Sequence, residues 1–364
     1  MTTPPARKSL AAGDRIRVLV VDDSVVIRRA LSLALGADPC IEVVGVAASG
    51  EIALQLVDQL NPDVVTLDVE MPGMGGLETL TQLRLRRPGL RIIMVSSLTQ
   101  SGASVTIEAL SRGADDYVAK SQASSSIPEA ISSLGEALSP KVRQFFRLPL
   151  AAASPPATPP AAPHAPRSLC RFTEVLLIAA STGGPTALAA VIPQLPADFP
   201  LPVLVVQHMP PVFTDLLAQR LDSQSPLQVL EAKDGMPVLP GQVLIAPGDF
   251  HLTAVREGAQ VLARLNQLPT ENGCRPSADV LFRSAHATWG GNALVLVMTG
   301  MGQDGLLGTR PLHAQGARIA AQDEASSVVW GMPGEIVRHN LADAVLPLSA
   351  IPDWLITSAR QTAR

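Results

Sequence analysis

The stretch Val175-Leu176-Leu177-Ile178-Ala179-Ala180-Ser181-Thr182-Gly183-Gly184-Pro185 decides the fold. Its apolar run suits a parallel strand covered on both faces. Two glycines then permit a sharp turn, and Pro185 stands where a first helical residue belongs. The reading places the Ser181 hydroxyl at a strand's carboxyl end, where open α/β sheets bind ligands, beside a helix N-terminus that favours developing negative charge. A serine nucleophile and a phosphate cradle both use such a turn. No lysine follows Ser181 closely, so the Walker pattern is absent. A turn with only a structural role also remains open from this segment alone.

Outward from that strand, the chain after about Leu169 shows further strand signals near 201–206, 227–230, 242–246, 293–298, 317–320 and 344–346, most of them separated by helical stretches. Residues 248–264, centred on Arg256-Glu257-Gly258-Ala259, read as an antiparallel hairpin. Upstream, the residues from Arg147 to Ser168 carry seven prolines and no acidic side chain, a composition for an extended tether rather than a core. Before it, strand signals near 16–21, 41–47, 63–67, 91–95 and 115–118 alternate with helices, the last near 127–138. The expected fold class is α/β: an N-terminal (βα)5 domain, then a doubly wound, mostly parallel sheet carrying one hairpin. The expected boundaries are a flexible tail at 1–14, a first domain at 15–138, a Pro/Ala-rich linker at 139–168 and a second domain at 169–360.

Composition narrows the function. The 364 residues carry a formal charge of -4, and the densest basic cluster, Arg84, Arg86 and Arg87, has no interleaved aromatics, so nucleic-acid binding is not expected. The three cysteines, Cys40, Cys170 and Cys274, form no CxxC pair, and the six histidines form no HExxH pair. No secretory leader and no run of membrane-spanning length is present, so a cytoplasmic protein without direct membrane insertion, and monomeric, is expected.

In the first domain, Asp22 and Asp23 follow one strand and Asp68 ends another, while Ser96 and Lys120 follow two more. Converging carboxylates repel unless a cation joins them, and oxygen ligands of this kind suit Mg²⁺. A lysine, a hydroxyl and a divalent cation together neutralise an incoming phosphoryl group. For a lone Asp22 or Asp23, capping of the following helix is the competing role. This constellation resembles a response-regulator receiver domain. The resemblance implies Asp68 as phosphoryl acceptor, Asp22 and Asp23 as the acidic pair, and the Glu70 main-chain carbonyl as a further Mg²⁺ ligand. It also implies Ser96, Tyr117 and Lys120 as the residues that respond to the phosphoryl group. Ser121 stands where the family usually has proline, and Gly75 where an aspartate is common.

In the second domain, Ser181, His208 at the end of Val203–Gln207, and Asp304 in the glycine loop after Leu294–Met298 supply a nucleophile, a base and an orienting acid. The absence of GxSxG argues against an α/β-hydrolase elbow. His251, His286, His313 and His339 have no comparable setting. The stretches 180–185, 207–209, 275–282, 298–305 and 321–333 resemble the motifs of the chemotaxis protein-glutamate methylesterases, also glutaminases, over about residues 15–347. The resemblance implies a phosphorylation-activated hydrolase that releases methanol from glutamyl methyl esters, and deamidates glutamines, on the cytoplasmic helices of methyl-accepting chemoreceptors. It implies Ser181, His208 and Asp304 as catalytic residues, Thr182 and the Met301 N–H as oxyanion donors, a histidine kinase as phosphodonor, and no cofactor for ester hydrolysis. The unphosphorylated receiver would block the catalytic cleft. Cys274 stands where the family often has histidine and is expected to bear on the substrate groove rather than on the triad. A receptor-binding adaptor and a phosphoryl sink are the rival functions.

Overall fold

The computed structural model describes residues 8–11, 13–120, 127–147 and 172–362. It divides into two compact units. Ser121, Cys170 and most of the proline-rich tether lie outside the described residues.

The first unit opens with β1 (Lys8–Ser9) and then alternates strands with helices: β2 (Ile16–Val21), α1 (Val25–Gly36), β3 (Ile41–Ala47), α2 (Gly50–Leu60), β4 (Val64–Asp68) and α3 (Gly76–Arg86). It continues with β5 (Arg91–Ser96), α4 (Gln100–Ser111), β6 (Asp116–Ala119), α5 (Ile127–Arg143) and β7 (Phe146–Arg147). Strands β3-β2-β4-β5-β6 form an all-parallel sheet in that order. Strands β4 and β5 are buried along their whole length, including the polar Thr66, Asp68, Arg91 and Ser96. The chain leaves β2 toward β3 on one side and returns to β4 on the other, so the carboxyl ends of β2 and β4 border the crevice where the order reverses.

Two boundaries move. Helix α5 runs to Arg143 instead of ending near 138, with Pro140 inside it. Leu138 and Val142 on this helix, and Phe145 and Phe146 just after it, are buried, and that packing carries the element past the proline. Lys8 and Ser9, expected in a loose tail, pair in parallel with Phe146 and Arg147. The first unit's ordered structure therefore reaches Arg147, inside what reads from sequence as linker.

The second unit contains β8 (Val175–Ala180), α6 (Gly184–Val191), β9 (Val203–Gln207), α7 (Phe213–Asp222), β10 (Gln228–Glu231) and β11 (Gln242–Ile245). The hairpin β12 (His251–Glu257) and β13 (Gln260–Asn266) follows, then α8 (Ala278–Trp289), β14 (Ala293–Val297) and α9 (Leu306–Ala314). The chain closes with β15 (Arg318–Gln322), α10 (Met332–Arg338), β16 (Ala344–Leu346) and α11 (Ile351–Thr362). Seven strands pair in parallel in the order β10-β11-β9-β8-β14-β15-β16. The hairpin forms its own two-stranded sheet and is tied to α8 through Ala254, whose N–H donates to Ser284 Oγ (3.0 Å) and whose carbonyl accepts from Thr288 Oγ1 (2.8 Å). Strand β8 is central. The chain leaves it toward β9 and later returns to its other side as β14, which makes its carboxyl end the reversal point of the sheet.

Candidate functional site

Ser181 sits one residue past β8, at that reversal point. Its N–H donates to the Thr299 carbonyl (3.0 Å), and its own carbonyl accepts from Gly184 N (2.8 Å) and Gln207 Nε2 (2.9 Å). Gly183 turns the chain into α6 with φ +76°, and a Cβ there would lie 2.6 Å from Val328 Cγ2. Only glycine meets both conditions without strain. Gly300 lets the loop after β14 come against the serine: a Cβ on it would lie 2.8 Å from Ser181 Cβ.

His208 follows β9, with its N–H on the Ala180 carbonyl (3.2 Å) and its Nε2 2.7 Å from Asp304 Oδ2. Asp304, 2% exposed, accepts far more than this one bond. Oδ1 takes Ser277 Oγ (2.7 Å), Asn272 Nδ2 (2.9 Å), Asp279 N (3.1 Å) and Gly305 N (3.1 Å), and Oδ2 takes Ala278 N (2.6 Å). The carboxylate thus lies at the first turn of α8, where free N–H groups and the helix dipole favour an anion. Burial works to raise its pKa, but His208, Ser277 and the Ala278 N–H outweigh it and hold the carboxyl below the usual range. His208 shows the converse. Burial lowers its pKa, and the bonds to Asp304 and then Cys274 overcome this and push it up to about 10.

The structure brings His208 and Asp304 into contact; Ser181 lies beside them, yet no hydrogen bond joins its hydroxyl to the imidazole among the described residues. The other ring nitrogen, Nδ1, instead has Cys274 Sγ at 3.6 Å. Cys274 therefore touches His208, whereas the sequence reading has it bear on the substrate groove rather than on Ser181, His208 and Asp304. Met301 is half-exposed, and its N–H is free of hydrogen bonds among the described residues. Thr182 is buried, and its carbonyl accepts from Thr299 Oγ1 (2.9 Å).

Sequence reasoning missed Asn272 and Ser277 as supports of Asp304. It also missed Gln207, which is buried and donates to both the Ser181 and His208 carbonyls. Gln207 and Gln322 each end a buried apolar strand. A polar amide in that position needs partners, which is the signal that marks them.

In the receiver-like unit, Lys120 Nζ reaches Asp68 Oδ2 (2.8 Å) and Asp22 Oδ2 (3.0 Å). The helix cap on α1 is Ser24, whose Oγ accepts from Ile27 N, so neither Asp22 nor Asp23 serves there. Asp22, Asp23 and Asp68 each offer a carboxylate oxygen within 4.8 Å of the others. This donor set fits a hard divalent cation. Glu70 follows closely, its N–H donating to Asp68 Oδ1 (3.4 Å). Burial, only partly offset by Lys120, pushes the Asp68 pKa up to about 6, and the charge of Asp22 adds to it. Burial lowers the Lys120 pKa, but Asp68 and Asp22 raise it overall. Ser96 Oγ donates to the Gly102 carbonyl (3.0 Å) rather than to Asp68. Tyr117 is buried, with Lys141 Nζ 5.6 Å from its ring centre.

A receiver unit ending in an acidic pocket, followed by a parallel sheet with serine, histidine and aspartate at its reversal point, narrows the relatives this chain can have. Residues 176–355 match the CheB methylesterase family, and residues 18–132 match the response regulator receiver domain. A protein-glutamate methylesterase/protein-glutamine glutaminase of Trichodesmium erythraeum is 44% identical over 94% of this chain and 98% of its own length. The chain belongs to the CheB methylesterase family. A Nocardioides protein of the same description is 46% identical over 95% of this chain and 96% of its own length. Among solved structures, the CheB methylesterase catalytic domain of Thermotoga maritima is 42% identical, with a TM-score of 0.50, covering 51% of this chain and 98% of that domain. This family member joins a receiver domain to a CheB methylesterase domain. Among the described residues no helix is long and apolar enough to cross a membrane.

Proposed function

We propose that this chain hydrolyses γ-glutamyl methyl esters and deamidates glutamines on the cytoplasmic helices of chemoreceptors, by a Ser-His-Asp mechanism under control of the receiver. The observation that carries the reading is Asp304, fixed at the α8 N-terminus, gripping His208 Nε2 beside Ser181. With Nε2 committed, Nδ1 takes the Ser181 proton as Oγ attacks the ester carbonyl carbon. The carbonyl π pair moves onto oxygen, where the Met301 N–H and groups at Thr182 are the candidate donors. His208 then returns the proton to the departing methoxide, giving methanol and a glutamyl ester on Ser181. Water, deprotonated by His208, attacks the ester carbonyl carbon; the acyl–Oγ bond breaks, His208 returns the proton to Ser181 Oγ, and the glutamate is released. A glutamine follows the same course with ammonia as the leaving group.

In the receiver, Asp68 is the proposed phosphoryl acceptor and a histidine kinase the donor. Asp22, Asp23, Asp68 and the Glu70 carbonyl would hold Mg²⁺, which would supply the positive charge that the transferred group needs. Lys120 stays as the fixed cation on Asp68, and Ser96 and Tyr117 are the residues whose side chains reorient afterwards. Phosphorylation would relieve inhibition by the unphosphorylated receiver, shifting a two-state balance. With these proposed partners, the proposed location is the cytoplasm. The test is methanol release from methylated receptor membranes by wild type and Ser181→Ala: the mechanism requires that the variant be inactive.

A further inference from the structure

His208 has two ring nitrogens, and Asp304 holds one of them. Nε2 lies 2.7 Å from the carboxylate, so a serine proton has only Nδ1 to go to. In this structure Nδ1 meets the sulfur of Cys274 at 3.6 Å. That sulfur is held in place from both sides. Glu271 and Cys274 exchange backbone hydrogen bonds (2.9 and 3.1 Å), and Asn272 Nδ2 between them donates to Asp279 Oδ2 and to Asp304 Oδ1, each at 2.9 Å. On the other side, Arg275 is bound to Asp249 Oδ1 through Nε (3.0 Å) and Nη2 (2.5 Å). The loop that presents the thiol is thus tied to the same carboxylate that orients the ring.

We propose that Cys274 is a positioning residue for the base: its thiol competes with Ser181 for Nδ1 of His208 and so sets the pH at which the base becomes available. The inference rests on the Ser-His-Asp reading above. Two protonation states share the contact. In one, the thiol S–H donates to the Nδ1 lone pair and the ring carries its single proton on Nε2. In the other, the S–H turns to the Asn272 carbonyl (3.6 Å), and a ring protonated on both nitrogens donates its Nδ1–H to the sulfur. The second state leaves no lone pair for the serine proton.

The titratable groups facing the ring are Asp304, from the loop after β14, and Cys274, from the loop before α8; Asp279 and Glu271 stand behind Asp304. The neighbours supplied after β8 and at the end of β9, Ser181 and Gln207, are uncharged. Asp304 and Cys274 both favour the protonated ring, which agrees with the upward direction of its pKa. Removing the sulfur lowers the pH at which His208 loses its proton.

The experiment uses the full chain and follows methanol release from methylated receptor membranes across pH. Cys274→Ala is expected to move the acid limb of kcat/KM to lower pH by roughly half to one unit. Cys274→Ser should move it by less, because a hydroxyl can still accept from the Nδ1–H. A merely structural role would change the plateau and leave the limb in place. A limb unmoved in both variants, with Ser181→Ala inactive, overturns this inference alone, whereas turnover by Ser181→Ala overturns the reading beneath it. A second measurement needs no variant of the site. Iodoacetamide caps the sulfur as iodide leaves, and wild type shown by mass to carry the group on Cys274 should lose at least tenfold in rate while treated Cys274→Ser keeps its own. Full activity of the capped wild type overturns the proposal.

Discussion

At the scale of single residues, Asp304 and His208 depend on each other, and their pKa directions give opposite consequences for stability. The Asp304 carboxyl lies below its usual range, so its contribution is present above the unfolded carboxyl pKa and is lost as pH falls through the lowered value. His208 is raised to about 10, so its contribution is complete below the ordinary imidazole pKa and is lost as pH rises toward that value. Thermal unfolding of wild type should therefore show a lower Tm in alkali that His208→Gln does not reproduce; equal alkaline slopes would contradict the pairing. Asp304→Asn should lower kcat by about 10³–10⁴-fold, through loss of ring orientation and of imidazolium stabilisation, in the methanol-release assay. The chemistry of these two residues was legible because each ends a strand or a glycine loop. The thiol of Cys274 was not, since only the fold brings residues 208 and 274 into contact.

At the scale of elements, the parallel strands were readable from mainly apolar runs, and Ser181, His208 and Asp68 were marked by where such runs stop. The order of strands was less so. Strand β11 inserts between β9 and β10, and nothing in the local pattern distinguishes that from a simple outward sequence. The end of α5 was hidden by Pro140, a residue that ordinarily breaks a helix. Burial of Leu138, Val142 and Phe145 decides the matter and is a tertiary effect. The support of Asp304 by the α8 N-terminus was likewise invisible, because the carboxylate comes from a distant loop. The turn at Gly183 gives an element-level prediction. Gly183→Ala imposes φ +76° on a residue with a Cβ and presses it against Val328. Chemical denaturation should show a loss of about 1–3 kcal/mol; an unchanged midpoint would mean that the turn is not the constraint described.

For the whole molecule, the chain joins a receiver domain to a CheB methylesterase domain, and control of the second by the first is the proposal to test. Asp68, raised to about 6 by burial, is ionised only above that pH in the absence of a cation. The native state holds this proton more tightly, so the group's contribution to stability is present below the ordinary carboxyl pKa and is lost as pH rises through about 6. Labelling by a small acyl phosphate should accordingly fall below that pH and be restored by added Mg²⁺, which favours the carboxylate. Labelling that is flat across the same range and indifferent to Mg²⁺ would contradict the acidic-pocket reading. Asp68→Asn should keep the unstimulated esterase rate and lose the response to phosphodonor.

The central claim is that a hydroxyl at the end of β8 does chemistry whose rate is set by a phosphoryl group on the receiver. Methanol release from methylated receptor membranes, with and without a small phosphodonor, tests it in one assay. Wild type should release methanol and do so faster with the donor, while Ser181→Ala releases none in either condition. Release by Ser181→Ala at the wild-type rate would contradict the account.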